Sequence, residues 1–209
     1  MVSSMKSWSR AEIVDEWPGG LGWRLDERLQ RTSHALLVKG RVWVIDPVDA
    51  EGVEEHVRAL GEPAGVLQLL DRHRRDCAAW AARLGVPHRR AWEGVEGTPF
   101  ERLPVRDNRL GREVALWEPS ARTLVCADAL GTVGFFRAPG EQIGWHPVTR
   151  PFPPRSFARV QPERILVGHG AGVHERATAS LQEALRTARR RIPGALLALV
   201  RTSSWAASR

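Results

Sequence analysis

The chain has 209 residues, is 43% hydrophobic and 26% charged, and carries a formal net charge of +7. That length and balance fit a single domain over 1–209 with a core large enough to need neither disulfides nor a structural metal, and they exclude global disorder. No apolar run approaches the roughly 20 residues of a membrane span, no apolar leader opens the chain, and two cysteines make no disulfide framework, so a cytoplasmic setting without a membrane partner is expected.

Residues 34–46 predict two short strands around Lys39-Gly40, the second running through Val42, Trp43, Val44 and Ile45 to Asp46-Pro47. Asp49 is placed to cap a helix whose apolar face is Val53, Val57 and Leu60 and which stops at Gly61. Val66 to Leu70 predicts a buried strand. After it Cys77, Trp80, Ala81 and Leu84 follow helical spacing, closed by Gly85. Residues 71–76 therefore form a polar strand-to-helix turn, where α/β proteins tend to place chemistry.

Glu113–Trp117 and Thr123–Ala127 predict two more strands, with Asp128 just past the second. Residues 131–162 are rich in Gly and Pro and are expected to be a long surface loop, in which Trp145-His146-Pro147 is a candidate for the mouth of a cleft. Ile165–Val167 predicts a strand ending at Gly168-His169-Gly170. A helix from about His174 to Arg191 then has the face Ala177, Leu181, Ala184, Leu185, Ala188. The core is expected over about 20–192, with a tail from about 201 to 209. Trp43, Trp80 and Trp117 are expected in the core, whereas Trp8, Trp17, Trp23 and Trp145 are candidates for a contact surface or an oligomer interface.

Charge is uneven. Residues 1–97 hold 14 Lys/Arg against 15 Asp/Glu, and residues 98–209 hold 17 against 9, so the whole surplus lies in the second half. A basic half attracts anionic ligands, and nucleic acid is one reading of it. The arginines are scattered, though, and no aromatic-basic motif accompanies them.

Three polar turns follow apolar strands, at 71–76, at Asp128 and at His169, and together they offer the nitrogen and oxygen donors of a metal site. Each residue alone is equally a turn-capping or hydrogen-bonded group. Cys77 and Cys126 lie on apolar faces and are expected as buried thiols rather than nucleophiles, although Cys77 and His73 stand four residues apart.

Their order along residues 32–192 resembles the metallo-β-lactamase fold superfamily: Val42-Trp43-Val44-Ile45-Asp46-Pro47, then the strand before the metal-binding turn, then 123–131 ending its strand at Asp128, then 165–170 ending at His169. The resemblance implies an α/β fold, the four-layer αββα sandwich, with Asp128 as the metal-bridging aspartate and His169 as the last histidine ligand. The family's His-x-His-x-Asp-His motif is degenerate here. In register it is Asp71-Arg72-His73-Arg74-Arg75-Asp76, which keeps only His73, and Asn108 stands where a further histidine is usual.

Arginine stays protonated and cannot coordinate. Arg75 is therefore expected to substitute for metal charge by pairing with Asp71, Asp76 or Asp128. The expectation is a protein that has lost the usual dinuclear site and binds no cofactor, with a binding or structural role toward a small molecule or a protein. The alternative is a hydrolase of esters, thioesters or phosphoesters with one zinc, iron or manganese held by Asp71, His73, Asp128 and His169, of which Asp71, His73 and Asp128 would be catalytic. A third reading is an anion or nucleic-acid binder using the basic half.

Overall fold

In the computed structural model the described residues are 11–73, 75–109 and 111–206, with side chains described to residue 200. Trp8 lies outside them. The chain opens with four antiparallel strands, β1 (Ala11–Trp17), β2 (Gly20–Leu25), β3 (Thr32–Val38) and β4 (Arg41–Ile45). Helix α1 (Val53–Leu60) leads to β5 (Glu62–Gln68), and α2 (Cys77–Leu84) leads to β6 (His88–Arg90); both strands add in parallel. The result is a six-stranded sheet in simple chain order.

A second sheet has the order β12-β9-β8-β7, built from β7 (Glu101–Asn108), β8 (Gly111–Glu118), β9 (Thr123–Cys126) and β12 (Arg164–Val167). β10 (Leu130–Gly131) and β11 (Gly144–Trp145) form a small ribbon beside it. Helices α3 (Ala177–Thr187) and α4 (Ile192–Ala206) close the chain.

Three apolar layers separate four structural ones. Trp23, Val42, Val44, Val53, Val57 and Trp80 fill the space between the first sheet and helices α1 and α2. Leu36, Trp43, Ile45, Leu67, Leu116 and Leu166 fill the space between the sheets. Leu124, Trp145, Phe157, Ile165, Leu181 and Ala184 fill the space between the second sheet and α3. This is the αββα order expected from the resemblance. Strands whose two faces are both covered lose the period-2 pattern, which is why Val42–Ile45 is continuously apolar.

Several local expectations are corrected. Gly52 rather than Asp49 precedes α1, and both carboxylate oxygens of Asp49 are taken by Arg83. Residues 131–162 are not a surface loop, because Phe136, Ile143, Trp145 and Phe157 turn inward and bury the Arg150–Glu141 pair with them. Trp23 and Trp145 are fully buried, each donating its indole N–H to a carbonyl, of Val48 and Ala184 respectively, and so they belong to the core and not to a contact surface. The helix expected over 174–191 is shorter, and the segment 195–200, expected as a strand or a helix, lies in a separate helix. His174 is bound to Asp15 and Arg176 has a left-handed φ of 53°, so α3 starts only at Ala177, and α4 extends through 201–206, where a tail was expected.

Candidate metal centre

His73, Asp128 and His169 each follow the carboxyl end of a strand, and their ligating atoms lie within 4.8 Å of one another. Leu70 pairs with Glu113 of the opposite sheet, Asp71 N donates to Arg112 O at 3.1 Å, and Gln68 caps the carbonyls of Leu70 and His73. These bonds fix the 70–73 turn and aim His73 across the gap between the sheets. Asp128 N donates to the buried carboxylate of Glu113 at 2.9 Å. Burial, the charge of Asp128 and only partial compensation from Arg106 push the Glu113 carboxyl up to about 8.

Gly168 lets Asp128 and His169 approach. A Cβ there would lie 2.6 Å from the Ala127 carbonyl, so only glycine fits where β9 and β12 end side by side. His169 is 6% exposed and donates Nδ1–H to the Leu29 carbonyl at 2.7 Å. A carbonyl only accepts, so Nδ1 carries a proton, and in the neutral tautomer the ring would offer its lone pair at Nε2. That atom is 3.0 Å from Asp128 Oδ1, and His73 Nε2 is 2.9 Å from the same oxygen. Neither approach is aligned as a hydrogen bond, and Oδ1 is buried without a hydrogen-bond partner, as is His73 Nδ1.

Buried nitrogen and oxygen atoms that converge on one point are satisfied by a proton on an imidazole or by a cation between them. Two donors, each about 2.1 Å from one ion, stand about 3 Å apart when at right angles, so these separations fit a small divalent cation. A histidine ligand whose other nitrogen donates to a backbone carbonyl is the usual outer-shell arrangement of such sites. Burial alone would raise the Asp128 carboxyl, but positive charge and hydrogen bonding at the His169 and His73 rings outweigh it and hold it far below the usual carboxylate range, and a bound cation would act in the same direction. The donor set therefore fits a metal.

The other expected residues are placed differently. Asp71 is outside the convergent set, and its Oδ1 is buried without a hydrogen bond close to Gly111. Asp76 holds the backbone N of Asp49. Arg75 is buried and pairs with none of Asp71, Asp76 or Asp128, in contrast to the expectation. Its Nη1 and Nη2 donate to the carbonyls of Thr32 (3.3 Å) and Gly168 (3.1 Å), the second of which also accepts from Thr32 N, because those strand ends turn their carbonyls toward it. It stays within the electrostatic reach of Asp46 and Asp128. Cys77 and Cys126 are buried thiols pushed up by burial, so neither is a thiolate nucleophile.

Of three neighbours of the site, Phe136 and Glu113 carried little sequence signal. Phe136 stacks on His169 with centroids 5.5 Å apart, and His146, expected near a cleft mouth, packs against Phe135 and Phe136 at 5.4 and 5.7 Å. Glu113 was legible only as a charge inside an otherwise apolar strand.

Solved metallo-β-lactamases share this architecture. DIM-1, in a crystal exposed to ceftazidime, is 12% identical with a TM-score of 0.53, covering 88% of this chain and 100% of its own. TMB-1 is 13% identical with a TM-score of 0.51, covering 86% of this chain and 99% of its own. The chain has the metallo-β-lactamase fold. At such identities the likeness speaks for the fold alone, and no family model or curated protein matches the sequence. Within a metallo-β-lactamase fold, His73, Asp128 and His169 occupy the strand ends that face each other across the two sheets.

Proposed function

We propose that this protein is a metal-dependent hydrolase working with a single divalent ion, held by His73, Asp128 and His169, and that the second metal position usual for the fold is lost. The observation that carries the reading is the convergence of His73 Nε2 and His169 Nε2 on one buried oxygen of Asp128, at 2.9 and 3.0 Å, with Nδ1 of His169 fixed by the Leu29 carbonyl. Zinc, iron and manganese all suit two imidazoles and one carboxylate. Such an ion supplies Lewis-acid polarisation of an ester, thioester or phosphoester and lowers the pKa of water.

The chain's own residues divide the remaining work. The Leu29 carbonyl fixes the tautomer of His169, and Glu113 holds the backbone of Asp128. Phe136 covers the face of the His169 ring and excludes water from it. Arg75 ties the 168 turn to β3, and its fixed positive charge disfavours a second cation beside the first.

That same charge favours a second reading, a site that has given up metal altogether and binds a ligand or protein instead. Elemental analysis of protein purified without chelators or a His tag separates them. About one equivalent of metal per chain, absent from an Asp128→Ala/His169→Ala variant, supports the hydrolase. Less than about a tenth of an equivalent after incubation with zinc overturns it, since a site with Kd far below the zinc concentration must fill.

A further inference from the structure

Residues 26–31 turn from β2 to β3 under tight constraint. Leu25 N donates to Arg31 O and Gln30 N to Glu27 O, both at 2.9 Å, and Gln30 takes a left-handed φ of 48°. The back of this turn is fastened to the metal-ligand segment. His169 Nδ1 donates to Leu29 O, Gly170 N donates to Gln30 O at 3.0 Å, and Arg31 forms an antiparallel bridge with His169.

The front of the turn lines a cleft of about 580 Å³ with Glu27, Arg28, Leu29, Arg31 and Phe135. Its charged groups are not equivalent. Arg31 grips both oxygens of Glu27, at 2.6 and 2.9 Å, so that pair neutralises itself. Arg28 is exposed and has no partner among the described residues. The other lining is apolar: Leu29 is 43% exposed, and Phe135 rests edge-on against Phe136 at 5.2 Å. Phe136 in turn stacks on His169. A run of rings thus leads from the cleft to a residue of the metal centre.

The geometry points to a recognition subsite for a small organic carboxylate, whose acyl or aryl body lies between Leu29 and Phe135 and whose carboxylate pairs with Arg28. The cleft is open to solvent and has room for a small organic molecule. One uncompensated guanidinium selects an anion, and its planar fork matches a carboxylate with two parallel hydrogen bonds. A cationic ligand finds no free carboxylate there, since Glu27 is already held. As the substrate-selecting part of the proposed hydrolase the subsite rests on that reading, but its ligand preference is independent of any metal.

The test is titration calorimetry of the protein as purified with 3-phenylpropionate and with its uncharged primary amide. The unsubstituted protein should bind the acid about tenfold more tightly than the amide, the discrimination of one charge-assisted hydrogen-bonding pair. Arg28→Ala should abolish that preference, Arg28→Lys should keep part of it, and Phe135→Ala should weaken both ligands alike. Arg28 is exposed, so its replacement leaves the fold intact. Equal affinity for acid and amide, a preference that survives Arg28→Ala, or no binding of the acid at its solubility limit would each overturn the assignment. Metal content reads the hydrolase and the Arg28-dependent preference reads the subsite, so either can fail without the other.

Discussion

Replacing Arg150 by Met should destabilise the protein out of proportion to the single side chain changed. The guanidinium is 2% exposed and its partner carboxylate, Glu141, 1%. Nη1 and Nη2 of Arg150 donate to the two Glu141 oxygens at 2.9 and 2.7 Å, and Nη2 also reaches the Phe136 carbonyl at 2.6 Å. Met keeps much of the apolar stem and removes every donor. Glu141 would retain the Ala138 N–H and a distant Arg191, 3.9 Å away. Breaking a buried pair costs about 3–5 kcal/mol. Arg191 tempers this to about 3 kcal/mol, and the orphaned Phe136 carbonyl adds about 1 kcal/mol. For a domain of this size that sum lowers the melting temperature by about 8–16 °C.

Thermal unfolding followed by circular dichroism measures the loss, and Arg150→Met/Glu141→Leu supplies the control. With both charges gone the double variant should recover most of it, because a buried pair and an apolar pair of similar volume are close in energy. A drop below about 3 °C for the single variant, or a double variant worse than the single, refutes the reasoning. Phe136 also stacks on His169, so the single variant should lose metal affinity in step with stability.

Three other outcomes follow from the site and its frame. Gly168→Ala would push a methyl group to 2.6 Å from the Ala127 carbonyl and should cost about 1–3 kcal/mol in urea unfolding while lowering metal occupancy; full occupancy would show that the strand ends need not touch. Arg75→Gln keeps a donor for one carbonyl and removes the buried charge, so competitive chelator titration should give a metal Kd at least about tenfold tighter; an unchanged Kd would remove Arg75 from the electrostatics of the site. Asp15 is buried, yet His174, His34 and the Gly172 N–H outweigh that burial and hold its carboxyl below the ordinary value of 3.8. Its contribution to stability is therefore present above about pH 4 and is lost as pH falls through the lower folded value. The stability gap between the unsubstituted protein and Asp15→Asn, measured in denaturant at stepped pH, should be widest near pH 5–6 and close toward pH 2–3, and a gap independent of pH would contradict the sign.

Much of the frame was legible because buried strands and helix stops write strong local signals. Val42–Ile45 is a continuous apolar strand, and Gly85 ends α2 with a left-handed φ of 69°. β1, β2 and β7 were not legible. β1 carries Asp15 and Glu16 and a bulge after Ile13, and β2 has glycine at two of its first three positions. β7 holds Pro104 and four charged residues, tolerable only because it is a sheet edge. In the candidate site, His73, Asp128 and His169 could be named from their places after strands. What could not be named was the use of each. Arg75 turned out to serve two carbonyls rather than a carboxylate, and that depends on acceptors 43 and 93 residues distant, which local spacing does not encode.

The strand ends around residues 167–170 are stitched to β3 by more than Arg75. Thr32 N donates to Gly168 O at 2.8 Å, Thr32 Oγ1 to Gly170 O at 2.8 Å, and His34 Nε2 to Val167 O at 2.9 Å. All are buried, and all cross from one sheet to the other. Opening either sheet locally at its outer edge, β6 or β7, leaves this seam untouched; opening the seam separates the sheets and so amounts to global unfolding. In hydrogen exchange, Thr32 and Gly168 amides should therefore be among the slowest in the protein, and slower than those of His88 to Arg90. The donor atoms of the metal centre would then keep their spacing through every local fluctuation, and adaptation to different ligands would be left to the exposed side chains at the mouth.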